Sequence, residues 1–308
     1  MSRNSELRVV DPVLTNLVRG YSNTEFVAEN LFPIVGVDKE AGKIPLFGKD
    51  AFKVFVTERA LRANSNKIQP EARTTADFVL TEHDAVYPMD YREISEDILS
   101  LETYAAFRAQ AAIQLRHEKA CADLAIATGS YTNNNYATLT STDQWTHADS
   151  KPLVHISTGI EKIRNLTGKR PNVMLMGAAA FKTLKDHSTI QDRIKYSQLG
   201  VATAALIAAL TGISKVVIGD GVYANDAMTT VYDIWGDNVI LAYVPEAQGG
   251  QRSQYEPSFG YTLRKKGFPE IDKYDEVGGK IQNVRSTDLF VPKIVGNDAG
   301  YLINDVNA

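Results

Sequence analysis

The sequence predicts an α+β protein organised around one long helix, and three observations carry that prediction. Residues 94–128, ISEDILSLETYAAFRAQAAIQLRHEKACADLAIAT, hold no glycine or proline and are rich in strong helix formers. Ahead of them, residues 42–91 alternate aromatic and β-branched side chains around a polar insert. Behind them, helix-like and strand-like stretches mix without the regular period of a parallel βαβ protein.

The spacing predicts one continuous helix over 94–128, with Ser95 as N-cap, Glu96 and Asp97 on the first turn, and Gly129 as a left-handed stop. Such a helix is roughly 50 Å long, against a radius of gyration of about 19 Å for a compact chain of this size, so it spans the molecule. A heptad seam through Ile98, Leu101, Ala105, Ala112 and Leu115 is interrupted by Arg108 and Lys119, which argues against a coiled coil. The many alanines permit close approach on more than one side, as when a helix lies across a sheet.

Composition sets the remaining bounds. Of 308 residues, 44% are hydrophobic and 23% charged, enough for a sizeable core in one or two domains. Lysine plus arginine number 33 against 37 acidic residues, so the net charge of -4 lacks the footprint of a dedicated nucleic-acid binder. The single cysteine, Cys121, allows no intrachain disulfide, and a reducing compartment is expected. The first residues carry charge where a signal peptide needs an apolar run. The most apolar helical stretch, 201–210, is too short to span a bilayer, so no membrane partner is expected and the chain is read as cytoplasmic where it is made.

In chain order, residues 1–41 read as an arm with one helical candidate at 23–30 and a strand at 34–37. Strands are expected at 43–47, 52–57 and 78–87, the last two forming a hairpin whose Phe52, Phe55 and Phe78 stay half exposed unless something outside the subunit covers them. The Ser-, Thr- and Asn-rich stretch 130–152 is the main boundary. A second block follows with helices at 155–166, 178–185, 190–196 and 201–210 and strands at 172–176, 215–218, 230–235 and 239–244. Strands at 259–264 and 280–292 then return to the layer of the long helix, leaving a short tail from 296.

Motifs for chemistry are sparse. His117 and Cys121 share a helix face but are too few for a metal site, and the five histidines are scattered with no nucleophile elbow. Gly219-Asp220-Gly221 lacks dinucleotide-loop spacing, and Asp220, Asn225 and Asp226 do not follow a calcium loop. The basic runs Lys169-Arg170 and Arg264-Lys265-Lys266 offer at most nonspecific phosphate contact. No catalytic residue, cofactor or metal is expected.

The order of arm, hairpin, long helix and α+β block resembles the major capsid proteins of tailed double-stranded-DNA phages, the Hong Kong ninety-seven type capsid fold that encapsulin shells share. The stretches Asn30-Leu31-Phe32-Pro33-Ile34-Val35 and Lys43-Ile44-Pro45-Leu46-Phe47 add to the resemblance. It implies an N-terminal arm (1–41), an extended hairpin loop (42–91), a peripheral domain with the spine helix and a β-sheet (92–150), an inserted α+β axial domain (151–250), and a return to the peripheral sheet with a C-terminal tail (251–308). It further implies a non-enzymatic subunit that assembles with itself into pentamers and hexamers of an icosahedral shell around double-stranded DNA. The expected partners are a separate scaffolding protein, a portal and a decoration protein, and the expected location is the virion. Charges at the hairpin tip, Glu58, Arg59, Arg62, Lys67, Glu71 and Arg73, are the expected intersubunit contacts. An encapsulin-like compartment and a soluble α+β enzyme stay open as alternatives.

Overall fold

A computed structural model describes residues 9–19, 25–46, 57–59, 61, 64, 66, 75–96, 100–132, 134–194, 202–225, 227–246 and 258–308. Residues 52–56 of the strand expected at 52–57 and most of the hairpin tip lie outside these residues. The chain begins with β1 (Val9–Val10) and α1 (Pro12–Arg19). Pro12 occupies the first turn of this helix, which the sequence expectation for 1–41 does not include. Asp11 caps it, Oδ1 accepting from the Val13 and Leu14 amides at 2.9 and 3.0 Å. Of the helix expected at 23–30, the described part is irregular up to a single 3-10 turn, Ala28–Asn30.

After the arm come β2 (Ile34–Val37), β3 (Ala41–Pro45), β4 (Thr75–Val79) and β5 (Thr81–Asp90). β3 and β4 form an antiparallel ribbon whose Phe78 and Ile44 are buried against Val35, Val37, Tyr261 and Leu263. Phe78 is therefore covered by its own subunit, contrary to the sequence expectation, because the ribbon base lies on the sheet rather than standing free.

The long helix is the principal correction. It is two helices, α2 (Tyr91–Glu96) and α3 (Leu101–Ile126), and Ser100 between them is left-handed at φ 70°. α2 starts at Asp90 rather than Ser95: Asp90 Oδ1 accepts from the Arg92 amide at 2.9 Å and Glu93 Oε2 accepts from the Asp90 amide at 3.2 Å, a reciprocal box. Composition gave no warning, since neither side of the break carries a glycine or proline. At the far end the helix stops at Ala127, which is extended, and Gly129 sits inside a 3-10 turn. α3 keeps the spine role at about 39 Å.

The second block contains β6 (Tyr136–Thr138), α4 (Pro152–Thr167), β7 (Val173–Gly177), α5 (Ala178–Asp186), α6 (Ser188–Ile194), α7 (Ala204–Thr211), β8 (Lys215–Gly219), β9 (Val222–Ala224), β10 (Val231–Asp233) and β11 (Val239–Ala242). The chain ends with β12 (Gly260–Lys265), β13 (Glu270–Asp275), β14 (Ile281–Ile294) and β15 (Gly300–Asn304). Two sheets result. The first runs β1-β13-β14-β12-β2, with β5 also on β14; the second runs β6-β15-β11-β7-β8. The residues expected to be a short tail thus supply an interior strand of the second sheet.

The second sheet explains its own sequence. Met174, Met176, Val239, Leu241, Tyr301 and Ile303 face α4, α5 and α7, while Val173, Leu175, Ile240, Ala242 and Leu302 face the C-terminal half of α3. With both faces covered, β7 reads as an unbroken apolar run. The N-terminal half of α3 packs Ala105 and Ala106 with α1, β13 and β14, so one helix ties both sheets together. Where β7 meets α5, a Cβ on Gly177 would sit 1.8 Å from the Gly236 carbonyl oxygen. Gly177→Ala should cost about 3 kcal/mol or more, seen as a lowered denaturation midpoint.

Candidate assembly surfaces and the arm clamp

Besides apolar packing, one carboxylate ties the arm to the spine. Glu118, buried on α3, accepts from the Val27 amide at 3.0 Å, the Ala28 amide at 2.9 Å and Trp235 Nε1 at 2.7 Å. Burial pushes its pKa up and the three donors pull it back down, with the net shift upward. The sequence reading assigns Glu118 no role in holding the arm, although it lies one helical turn before Ala122 and two before Ala125 on the stripe that faces the core.

Beside it, His117 Nε2 lies 2.9 Å from Thr262 Oγ1 and 3.4 Å from Cys121 Sγ, with the ring edge-on to Phe290. Burial, with Arg264 and His83 nearby, lowers the His117 pKa from 6.5 to about 3, and burial raises the Cys121 thiol. Both side chains are therefore neutral packing groups. Among the described residues no three metal-ligating side chains cluster, and no helix is long and apolar enough to cross a membrane. A cleft of about 490 Å³ between α1, the 3-10 turn and α3 is bordered by Arg19, Glu29, Gln110, His117 and Arg264.

Several charges elsewhere among the described residues are matched within the chain. Asp272 is buried and takes Arg285 in a two-pronged pair at 3.1 and 2.7 Å. Asp288, also buried, lies 3.1 Å from Arg264 Nη2, and burial outweighs that cation and raises its pKa. Of the basic runs, Lys265 pairs with Glu40 and Lys266 with Asp38 at 2.9 Å. Lys169 Nζ donates to the Tyr243 hydroxyl at 3.1 Å, and Arg170 lies 3.9 Å from Glu161. The sequence offered both runs for phosphate contact, yet the fold gives them partners of their own.

Of the six hairpin-tip residues, Glu58 and Arg59 are described and exposed, and the Glu58 carbonyl accepts from Asn66 Nδ2 at 2.9 Å. Arg62, Lys67, Glu71 and Arg73 lie outside the described residues. Other exposed apolar groups cluster on the β9–β10 ribbon: Val222, Met228, Val231 and Tyr232.

A spine helix bridging two sheets, an arm packed along it and a two-stranded ribbon ahead of it make up the fold that phage capsids and encapsulins share. Residues 28–271 match the family model described as phage major capsid protein E, and the chain belongs to that family. The major capsid protein of Burkholderia phage BcepMu is 50% identical over 308 residues, covering 100% of both chains. The crystal structure of a phage-related protein from Bordetella bronchiseptica RB50 superposes with a TM-score of 0.84 at 29% identity, over 97% of this chain and 98% of that one. The holo-SrpI encapsulin of Synechococcus elongatus PCC 7942 shares the fold at a TM-score of 0.52 and 12% identity, over 92% and 88% of the two chains. The chain is a phage capsid component with a structural role, and it oligomerises into shells.

Proposed function

We propose that this chain forms pentamers and hexamers that tile an icosahedral phage head around double-stranded DNA, assembled in the host cytoplasm before residing in the virion. The observation that carries this reading is the full-length match, at 50% identity, to a phage major capsid protein. In this reading residues 1–41 are the arm, 42–91 the extended loop, 92–150 the peripheral domain, 151–250 the axial domain around the ring centre, and 251–308 the return segment. β6 and β15 then extend the axial sheet from the flanking regions. Head-to-tail contacts of this kind close into rings.

Glu58, Arg59, Arg62, Lys67, Glu71 and Arg73 pair with charges on neighbouring copies. A separate scaffolding protein and a portal guide assembly, a decoration protein binds outside, and packaged DNA is contacted without sequence preference. Deleting residues 60–75 should leave soluble, folded protein that yields no shells by negative-stain electron microscopy. Intact shells from that deletion would overturn the role given to the tip.

A further inference from the structure

Among the described residues, the edge of β5 that faces away from β14 has no strand partner along most of its length. β5 pairs with β14 one residue to one residue from Thr81 to Asp90, without a bulge. Immediately beyond, the Tyr91 amide donates to the Lys280 carbonyl at 3.0 Å, which sets the odd-numbered amides toward β14. The even-numbered ones must point the other way, and at both ends they do: the Leu80 amide bonds to the Glu40 carbonyl at 2.7 Å and the Asp90 amide to Glu93. Between those ends the amides of Glu82, Asp84 and Val86 look outward, and among the described residues no strand pairs with them. Glu82, Asp84, Val86 and Pro88 are all exposed. An unpaired edge this long is a template for another strand.

The charges on it select what can add. Two β5 edges meeting antiparallel would set the Glu82 and Asp84 carboxylates of two copies on one face at a strand spacing of about 4.8 Å, which repels. The slot therefore suits a different segment, one with cations on one face of an extended chain. Lys49 and Lys53 are four residues apart, hence on the same side of an extended stretch, and lead into the strand-favouring sequence Val54-Phe55-Val56.

We propose that the outward edge of β5 receives the segment containing Lys49 and Lys53 from a second copy of this chain, with those lysines set against Glu82 and Asp84. The proposal rests on the reading that the loop reaches a neighbour and names where it lands.

Asp84→Pro tests the edge. It removes one outward amide and no bond to β14, and proline is tolerated on strand edges. The variant should keep the circular dichroism and melting temperature of the parent while its shell yield, measured by sedimentation, falls at least tenfold. A charge swap tests the occupant: the Glu82→Lys/Asp84→Lys double variant should lose shells, and adding Lys49→Glu/Lys53→Glu should restore them. Unchanged shell yield in Asp84→Pro would overturn the docking edge, and if the 60–75 deletion still abolishes shells, the wider reading of the loop survives that failure. Lost shells without rescue in the swap would overturn the assignment of the Lys49–Lys53 segment.

Discussion

Glu118→Ala is expected to cost about 3–5 kcal/mol, because it takes the acceptor from three buried donors, the Val27 and Ala28 amides and the Trp235 indole. That is a large fraction of the roughly 5–15 kcal/mol by which a domain is ordinarily stable. The loss is not spread evenly. The donors belong to the 3-10 turn of the arm and to the segment between β10 and β11, so that turn should loosen first and shells should fail even where the two sheets stay folded. Glu118→Gln keeps one carbonyl acceptor and gives up the buried charge, and should stay within about 1 kcal/mol of the parent. Urea unfolding read by tryptophan fluorescence, together with micrographs of assembled material, checks both. An alanine variant with a parental midpoint would show that the carboxylate is not what holds the arm.

His117 should make the subunit sensitive to acid. Its folded pKa is lowered from 6.5 to about 3 by burial, with Arg264 and His83 adding repulsion. The folded state therefore binds the proton less readily than the unfolded chain. The stability this group contributes is fully present above pH 6.5 and is lost as pH falls toward 3, at up to about 1.4 kcal/mol per pH unit. Burial shifts Glu118 and Asp288 upward. Their contributions run the opposite way, greatest at low pH and lost as pH rises through their raised values, so the parent's whole profile does not isolate the histidine. His117→Gln does. It retains a group able to meet Thr262, should match the parent to within about 2 kcal/mol at pH 7, and should lose roughly 2–3 kcal/mol less than the parent between pH 6.5 and 4.5. Parallel pH profiles for the two proteins would refute the assignment.

How much of this was legible in the sequence depended on whether the signal was periodic or relational. β7, β11, α4 and α5 announce themselves through apolar runs and helix-forming stretches that local chemistry fixes. α1 was hidden because Pro12 reads as a break until Asp11 is recognised as the cap before it. The interruption at Ser100 was hidden because left-handed serine carries no compositional mark. β13 and β15 were missed for another reason: Glu270–Asp275 is largely charged, and its Asp272 is buried only because Arg285 on β14 answers it, a partner 13 residues away. For the assembly surface, the tip charges rest on the sequence alone, since four of the six lie outside the described residues. The Glu118 clamp needed the knowledge that Trp235 and the Ala28 amide converge on one helix face. The fold class and the spine were visible from the chain alone, whereas the attachment of the arm was not.

One further consequence follows from the extended run 75–90, which pairs with β3 through its first part and with β14 through its second, on opposite edges, with Leu80 at the changeover. Traction on the loop along that run loads the ten-residue β5–β14 ladder in shear, so its bonds resist together instead of peeling one after another. A head under internal pressure would thus transmit tension from the loop straight into the first sheet, without relying on the side-chain packing of the ribbon.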